Sequence, residues 1–390
     1  MQHPEHAALL EQRVPEFTFT DNNDVVVSRL GLSITLFFKQ GYTQEKREKR
    51  EKREKILACF SRFREEFGTH LRFHAHSFKG MKKYSPENIA KVEDSIRNKG
   101  IYDYGGWTIS DAKNMSEAPN CLMRYLDSGN NNDNENSYLS LVLPWFYLKE
   151  TSGMARFNDW LTYLCQQLEP DSGDCGYCLI LPRDYHDYLS IEYELAKRYP
   201  PLQVNSTIHA VSDEYNNSSR GVNWITVLGD RYIKRLGGEG WVRKVLSRDP
   251  DISIEPYPGG LLIRAGQHPD LTPLTAGLSS HYLVVNQLIR PIRVQPKEGH
   301  SLHFYGVNHF DGLSTLAWYA RYDQGPLSLS PLASGTPALV TGNWTTPSFP
   351  HTMRIIKQGE MAPAGKAGEV IWWDLASEVE DDGTTQAPQS

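Results

Sequence analysis

Four residues whose side chains bind metals or move protons crowd into twelve positions: His300, His303, His309 and Asp311. Imidazoles beside a carboxylate suit zinc or iron, so an enzyme reading of this chain is a metal-dependent site over residues 300–311. His74 and His76 in LRFHAHSF add two imidazoles on one side of an extended stretch, because alternate residues of a strand share a face. Cys175 and Cys178 form a C-x-x-C, a spacing that zinc and redox sites use. Each feature has a plainer explanation. The histidine spacing matches no metal motif, and Asn308-His-Phe-Asp-Gly reads as a turn with a helix cap. DCGYCLILP has no second cysteine pair, and Cys178 opens an apolar run that suits a buried strand. H-E-x-x-H, G-x-S-x-G and the protein-kinase set do not occur. With 47 acidic residues, chance carboxylate pairs are inevitable. No catalytic residue, metal or cofactor is expected, and the site over 300–311 stands as the alternative.

The elements that would position these side chains alternate between strand and helix patterns. LGLSITLFF (Leu30 to Phe38) is an apolar run with the length of a buried strand. After it, three E-K-R triplets span Glu45 to Arg53, followed by Glu54 and Lys55. Glu45 with Lys49, Glu48 with Lys52 and Glu51 with Lys55 are i,i+4 pairs in the favourable order, each adding about 0.3 kcal/mol. Ile56, Cys59, Phe60, Phe63 and Phe67 continue that helix with an apolar stripe, so its first half reads as solvated. Further strands are expected near 71–78, 101–110, 137–148 and 177–181, and helices from Ser85 to Asn98, Ala155 to Leu168 and Tyr185 to Arg198. SGNNNDNENS (128–137) is a polar loop. Beyond Pro201 come a strand at Val222, a helix at Asp230, short strands near Ile252 and Leu261, and a helix from His281 to Ile289. HSLHFYGVNHF reads as a strand and Leu313 to Tyr322 as a helix. From Gln324 the composition turns to Pro, Ser, Gly and Thr, with a β-like tail ending in EVIWWDL.

The 390 residues carry a net charge of −6, which gives no general reason to bind nucleic acid or an anionic membrane. The first residues lack a basic segment followed by an apolar one, and no run approaches the roughly 20 apolar residues of a membrane span. Five cysteines, an odd number, fit reduced thiols, and a cytoplasmic location is expected.

GVNWITVLGDRYIKRLGGEG (Gly221 to Gly240) breaks from strand to helix at Gly229-Asp230. The turn offers one glycine, where a phosphate loop needs several. Asp230 suits a helix N-terminus, Lys234 and Arg235 suit its C-terminus, and Gly237 supplies a left-handed cap. The stretch V-N-W-I-T-V-L-G-D, then a helix and L-G-G, resembles the signature of the type VI secretion immunity family known as TsiV. YLVVNQLIRPIR followed by FDGLSTLAWYARYD is similar to that family's C-terminal helix, with its closing arginine, aromatic and aspartate. The likeness covers roughly Glu16 to Asp323. G-N-W-T-T-P at Gly342 and Q-G-E-M-A-P at Gln358 are similar to a small β appendage of other bacterial immunity proteins. The E-K-R run and the Asn-rich loop depart from the pattern.

The resemblance implies a cytoplasmic protein that binds and blocks one cognate toxic effector, a nuclease, with neither nucleic acid nor membrane as a direct ligand. The expected fold is α+β: two halves of mixed sheet backed by helices (16–200 and 201–324), a small β-rich appendage (325–377) and a disordered tail (378–390). A nuclease presents a basic groove to phosphates, so acidic and aromatic loop residues are the candidate contacts. These are Asp213, Glu214 and Tyr215 before the signature strand, and Asp133 and Glu135 in the Asn-rich loop.

Overall fold

The computed structural model describes residues 3–39, 46–77, 80–98, 105–127, 136–208, 215–294, 300–304, 306–323, 332–338, 341–349, 352–357 and 359–378. The chain enters through α1 (His3–Arg13) and reaches β1 (Phe19–Thr20) and β2 (Val26–Phe38). Nine consecutive residues of β2, Leu30 to Phe38, are buried. An apolar run of that length demands cover on both faces, which places β2 in mid-sheet. Then follow α2 (Lys46–Phe67), β3 (Phe73–His76), β4 (Lys82–Lys83), α3 (Pro86–Arg97), β5 (Gly105–Ser110), β6 (Leu122–Asp127), β7 (Ser137–Pro144), α4 (Gly153–Leu168), β8 (Ser172–Ile180) and α5 (Leu189–Arg198). The second stretch supplies β9 (Ile225–Gly229), α6 (Asp230–Arg235), α7 (Glu239–Leu246), β10 (Ile252–Tyr257), β11 (Gly260–Ala265), α8 (Ser280–Ile289) and α9 (Gly312–Tyr319).

The strands of both stretches form one eleven-stranded sheet in the order β10-β11-β9-β8-β2-β7-β6-β5-β3-β4, with β1 beside β2. Its paired strands are antiparallel throughout the described residues. A small sheet follows, with β12 (Leu332–Ala333), β13 (Gly342–Thr345), β14 (Met353–Ile356) and β15 (Trp372–Glu378) in the order β12-β15-β13-β14. The fold is α+β with a small C-terminal sheet. The tail beyond Glu378 lies outside the described residues.

Strand pairing sorts the large sheet into two unlike faces. On the first, Leu32, Ile34 and Leu36 lie level with Leu143, Leu141 and Leu139 and join the main core. Helices α2 and α4 cover it. Phe60 stacks on Trp107 with ring centroids 4.1 Å apart, and Glu66 accepts hydrogen bonds from Tyr147 and from the Trp160 indole, each at 2.6 Å. On the second face a polar row crosses successive strands at one level: Thr108, Arg124, Ser140, Thr35, Asp174 and Thr226. Beside that row, Phe37, Leu126 and Tyr138 form a second core with Val204, Ile208, Tyr215, Leu302, Phe310, Trp318 and Tyr319. The C-terminal part of the large-sheet region therefore closes over the middle of this face.

Two expectations need correction. The E-K-R run does continue into the Phe60 helix, but it is not solvated to its end. Arg53 lies 3.9 Å from Asp127, with side chains 5% and 6% exposed. Lys52 donates to the Leu168 carbonyl and sits 5.3 Å over the Phe38 ring, and Lys55 reaches Glu169 at 3.2 Å. Arg53 precedes Ile56 and Phe60 at helical spacing, so it falls on the buried stripe. The second correction is HSLHFYGVNHF, which is not a strand in its described part. Its backbone is satisfied by side chains and a local bridge, with Thr315 Oγ1 accepting from Leu302 N at 3.0 Å and the Phe310 carbonyl accepting from His303 N at 3.2 Å.

The signature stretch is core and cap, as expected. Trp224 is buried, donates from Nε1 to the Gly266 carbonyl at 3.1 Å and lies under Arg264. Gly237 has φ +97°, and a Cβ there would stand 2.5 Å from Trp372 Cδ1. The same glycine thus caps α6 and seats the small sheet.

Candidate partner-binding face

His303 resolves into packing. His303 is fully buried, with Nε2 3.0 Å from Glu192 Oε2, also buried. Phe310 N–H donates to His303 Nδ1 at 3.3 Å, so the ring proton sits on Nε2 and points at the carboxylate. Glu192 also accepts from the backbone of Asn205 and from the Ser206 hydroxyl. Hydroxyl and imidazole therefore both lean on one carboxylate. A nucleophilic triad needs the imidazole between the other two. Asp311 caps α9, accepting from Ser314 N at 2.8 Å. Among the described residues the group of carboxylates and histidine spaced like metal ligands is Asp249, Asp251 and His281, away from 300–311. There His281 Nδ1 is already 2.6 Å from Asp249 Oδ2.

The C-x-x-C lies on β8. Residues three apart on a strand face opposite sides: Cys175 joins the main core, while Cys178 packs with Leu122, Val142 and Ile180 on the second face. The two sulfurs cannot grip one ion. Burial pushes the Cys178 thiol up to about 12 and Cys175 well above its usual range. Gly176 between them lets Asn223 approach, since a Cβ there would lie 2.0 Å from its Oδ1.

Asp213, Glu214, Asp133 and Glu135 lie outside the described residues. The residues that follow their two segments are joined: Asn136 Nδ2 donates to the Tyr215 carbonyl at 2.8 Å. Asn136, just before β7, is thus tied to Tyr215, ahead of the signature strand. Tyr215 is not a solvated loop residue. It is 0% exposed, its ring packs on Phe37 at 5.0 Å, and its hydroxyl is 2.7 Å from that of Tyr319. Its aromatic character serves the second core, and this removes it from the candidate contacts.

The second face is not fully covered. Past its closed middle, toward β5 and β3, three adjoining concavities open, and Arg124 lines all of them. One of about 300 Å³ runs from Arg183 and Tyr185 past Arg124 to Leu126 and Tyr138. Arg124 and Arg183 are half-buried, and no described residue forms a hydrogen bond or ion pair with either guanidinium. Burial, with Arg124 adding to it, holds the Arg183 guanidinium below its ordinary value, opposed by Tyr185. Sequence reasoning missed both. Arg124 sits in LMRYLD, a short strand without a turn signal, and Arg183 follows a proline in a loop.

Among the described residues, no helix is long and apolar enough to cross a membrane. No curated protein matches the sequence. A solved structure, Pseudomonas aeruginosa T6SS protein PA0821, superposes with a TM-score of 0.67 at 20% identity, over 82% of this chain and 91% of that one. At that identity the likeness is one of fold. The model of the TsiV family, described as type VI immunity for VRR-NUC, matches residues 55–322. That span runs from within α2 to just past α9, taking in the signature stretch, the second core (apart from Phe37) and the open concavities, and on it the chain belongs to the TsiV family.

Proposed function

We propose that this protein binds a VRR-NUC type VI effector in the cytoplasm, blocks its substrate-binding groove or active site, and does no chemistry of its own. The observation that carries the reading is the family match over residues 55–322. The geometry is consistent with it: His303, Cys175 and Cys178, once open to a metal reading, are packed into the fold, and the uncovered ground is a shaped face, not a sealed catalytic pocket. Asp213 with Glu214, and Asp133 with Glu135, are proposed to meet the basic groove, carried on segments whose following residues are hydrogen-bonded to each other. Carboxylates there compete with phosphates, so association is expected to slow as salt rises. Blocking a self-made nuclease calls for about nanomolar affinity across about 1,200–2,000 Å².

The test is co-expression with a panel of VRR-NUC effector domains, followed by binding to any that is neutralised. Rescue from one and few others, with a stable complex, is expected. Reversing Asp213 with Glu214, or Asp133 with Glu135, to lysine should slow association. A chain that neutralises and binds no VRR-NUC domain, yet turns over a small molecule with a metal lost on His303→Ala, would instead be the enzyme of the alternative reading.

A further inference from the structure

We propose that Arg124 and Arg183 anchor the partner, and that the concavity around them takes a carboxylate-bearing loop of the effector. This rests on the reading of the chain as an effector-binding immunity protein and names the chemistry by which its face recognises that partner.

The fully buried arginines among the described residues have their carboxylates. Arg53 faces Asp127, Arg220 faces Asp174 at 3.4 Å, and Arg293 holds Asp323 with two bonds of 2.7 and 2.8 Å. Arg124 has no such match. Its neighbours across the strands are Thr108 and Ser140, which offer hydroxyls. The concavities have two carboxylates of their own, and neither pairs with an arginine there. Glu117 accepts from Lys113 N at 2.7 Å and lies 3.8 Å from Lys113 Nζ, while Asp184 is exposed. Two half-buried guanidiniums that line one hollow thus have no carboxylate paired with them among the described residues, in a chain of net charge −6. Guanidinium is the side chain whose fork of N–H donors matches a carboxylate with two parallel bonds. A carboxylate entering the concavity would neutralise the repulsion between the cations and replace their lost hydration.

Size and charge choose among anions. A concavity of about 300 Å³ admits a few side chains. A nucleic acid backbone needs a basic stripe along a face, which two arginines in one hollow of a chain of net charge −6 do not supply. Tyr185, partly exposed, lines the same hollow beside Arg183, and an aromatic ring next to an arginine is a pairing that buried protein contacts use. The occupant is therefore an acidic loop of a protein.

The experiment measures affinity and its salt dependence for the VRR-NUC domain that the wild-type chain neutralises, using Arg124→Gln, Arg183→Gln, both together, and both as lysine. Each single glutamine variant should bind about 10-fold more weakly and the pair about 100-fold, with wild-type thermal unfolding. The lysine pair should keep the salt dependence but lose about 5-fold or more, because lysine retains the charge and loses the fork. Arg183 lies outside the strands, so its variant stays informative if Arg124→Gln unfolds. Unchanged affinity in the double variant, or in Arg183→Gln where that alone folds, overturns the proposal while leaving the immunity reading intact. If the wild-type chain binds no VRR-NUC domain, both fall. Arginine-dependent binding of a 20-mer DNA duplex, lost in the double variant, would also overturn it in favour of a nucleic acid ligand.

Discussion

At the scale of single residues, charge is the quantity that the structure redistributes. Asp323, which closes the arginine–aromatic–aspartate ending of the signature region, is held by Arg293, by Asn286 at 2.8 Å and by Arg290 at 3.4 Å. Burial alone would raise its carboxyl, but these partners outweigh it and hold the group below its ordinary 3.8. A folded value below the unfolded one means stability that is full above about pH 4 and lost as pH falls through the folded value. Asp323→Asn should therefore cost about 3 kcal/mol at pH 7, the loss expected when one partner of a buried pair is removed. The gap from wild type should narrow on acidification toward pH 3. Urea unfolding at several pH values reads both, and a gap that stays constant would show that the ion pair is not its source. The aspartate and its role as a terminus were readable in ARYD. Its partner Arg293, thirty residues earlier, was not, because a periodic pattern marks a face and says nothing of which distant side chain meets it.

At the scale of elements, α2 shows how a helix can be read correctly and its environment missed. Ile56, Phe60 and Phe63 announce the stripe, and helical spacing extends it back to Arg53 inside a run whose composition reads as solvated. Arg53→Ala should cost about 3 kcal/mol by leaving Asp127 buried without its cation. Lys55→Ala, whose pair with Glu169 is exposed on both sides, should cost less than about 0.5 kcal/mol. Denaturant titration of the two variants separates them, and equal small effects would mean that the Arg53 pair contributes nothing. The helix from Ser85 was legible to its cap, with Ser85 Oγ accepting from Asn88 N at 3.2 Å and Pro86 at the first position. Strand β6 was not seen: six residues are too few for alternation to stand out, and its arginine interrupts the apolar side.

At the scale of the whole molecule, the small sheet packs on the helices that flank Gly237. Trp372 of β15 stacks on Trp241 of α7 at 6.2 Å, and Asp374 pairs with Arg248 at 3.3 Å. The small sheet keeps a core of its own around Trp344, Ile356, Ile371 and Trp373. Gly237→Val should therefore loosen the seam more than either sheet. It adds about 1–2 kcal/mol of backbone strain and forces Trp372 out of its seat. Hydrogen exchange should rise at β15 and α7 and stay slow in β2, β7 and β8. Uniform acceleration across the large sheet would instead place Gly237 in the stability of the main core.

What the sequence determined by itself was local: the α+β class, the long helices and buried strands, the caps at Ser85, Gly237 and Asp311, and the burial of Trp224. Each is decided within one or two turns or a few strand residues, by periodicity and by backbone groups that need partners. The tertiary structure alone decided the order of the strands, and with it the polar row from Thr108 to Thr226 and the separation of Cys175 from Cys178. It turned Tyr215 inward and drew residues 300–311 off the sheet. It also left Arg124 and Arg183 facing a hollow in which, among the described residues, no carboxylate pairs with either. An unpaired charge is a property of everything that failed to come near it, and only the complete arrangement of the chain in space can specify that.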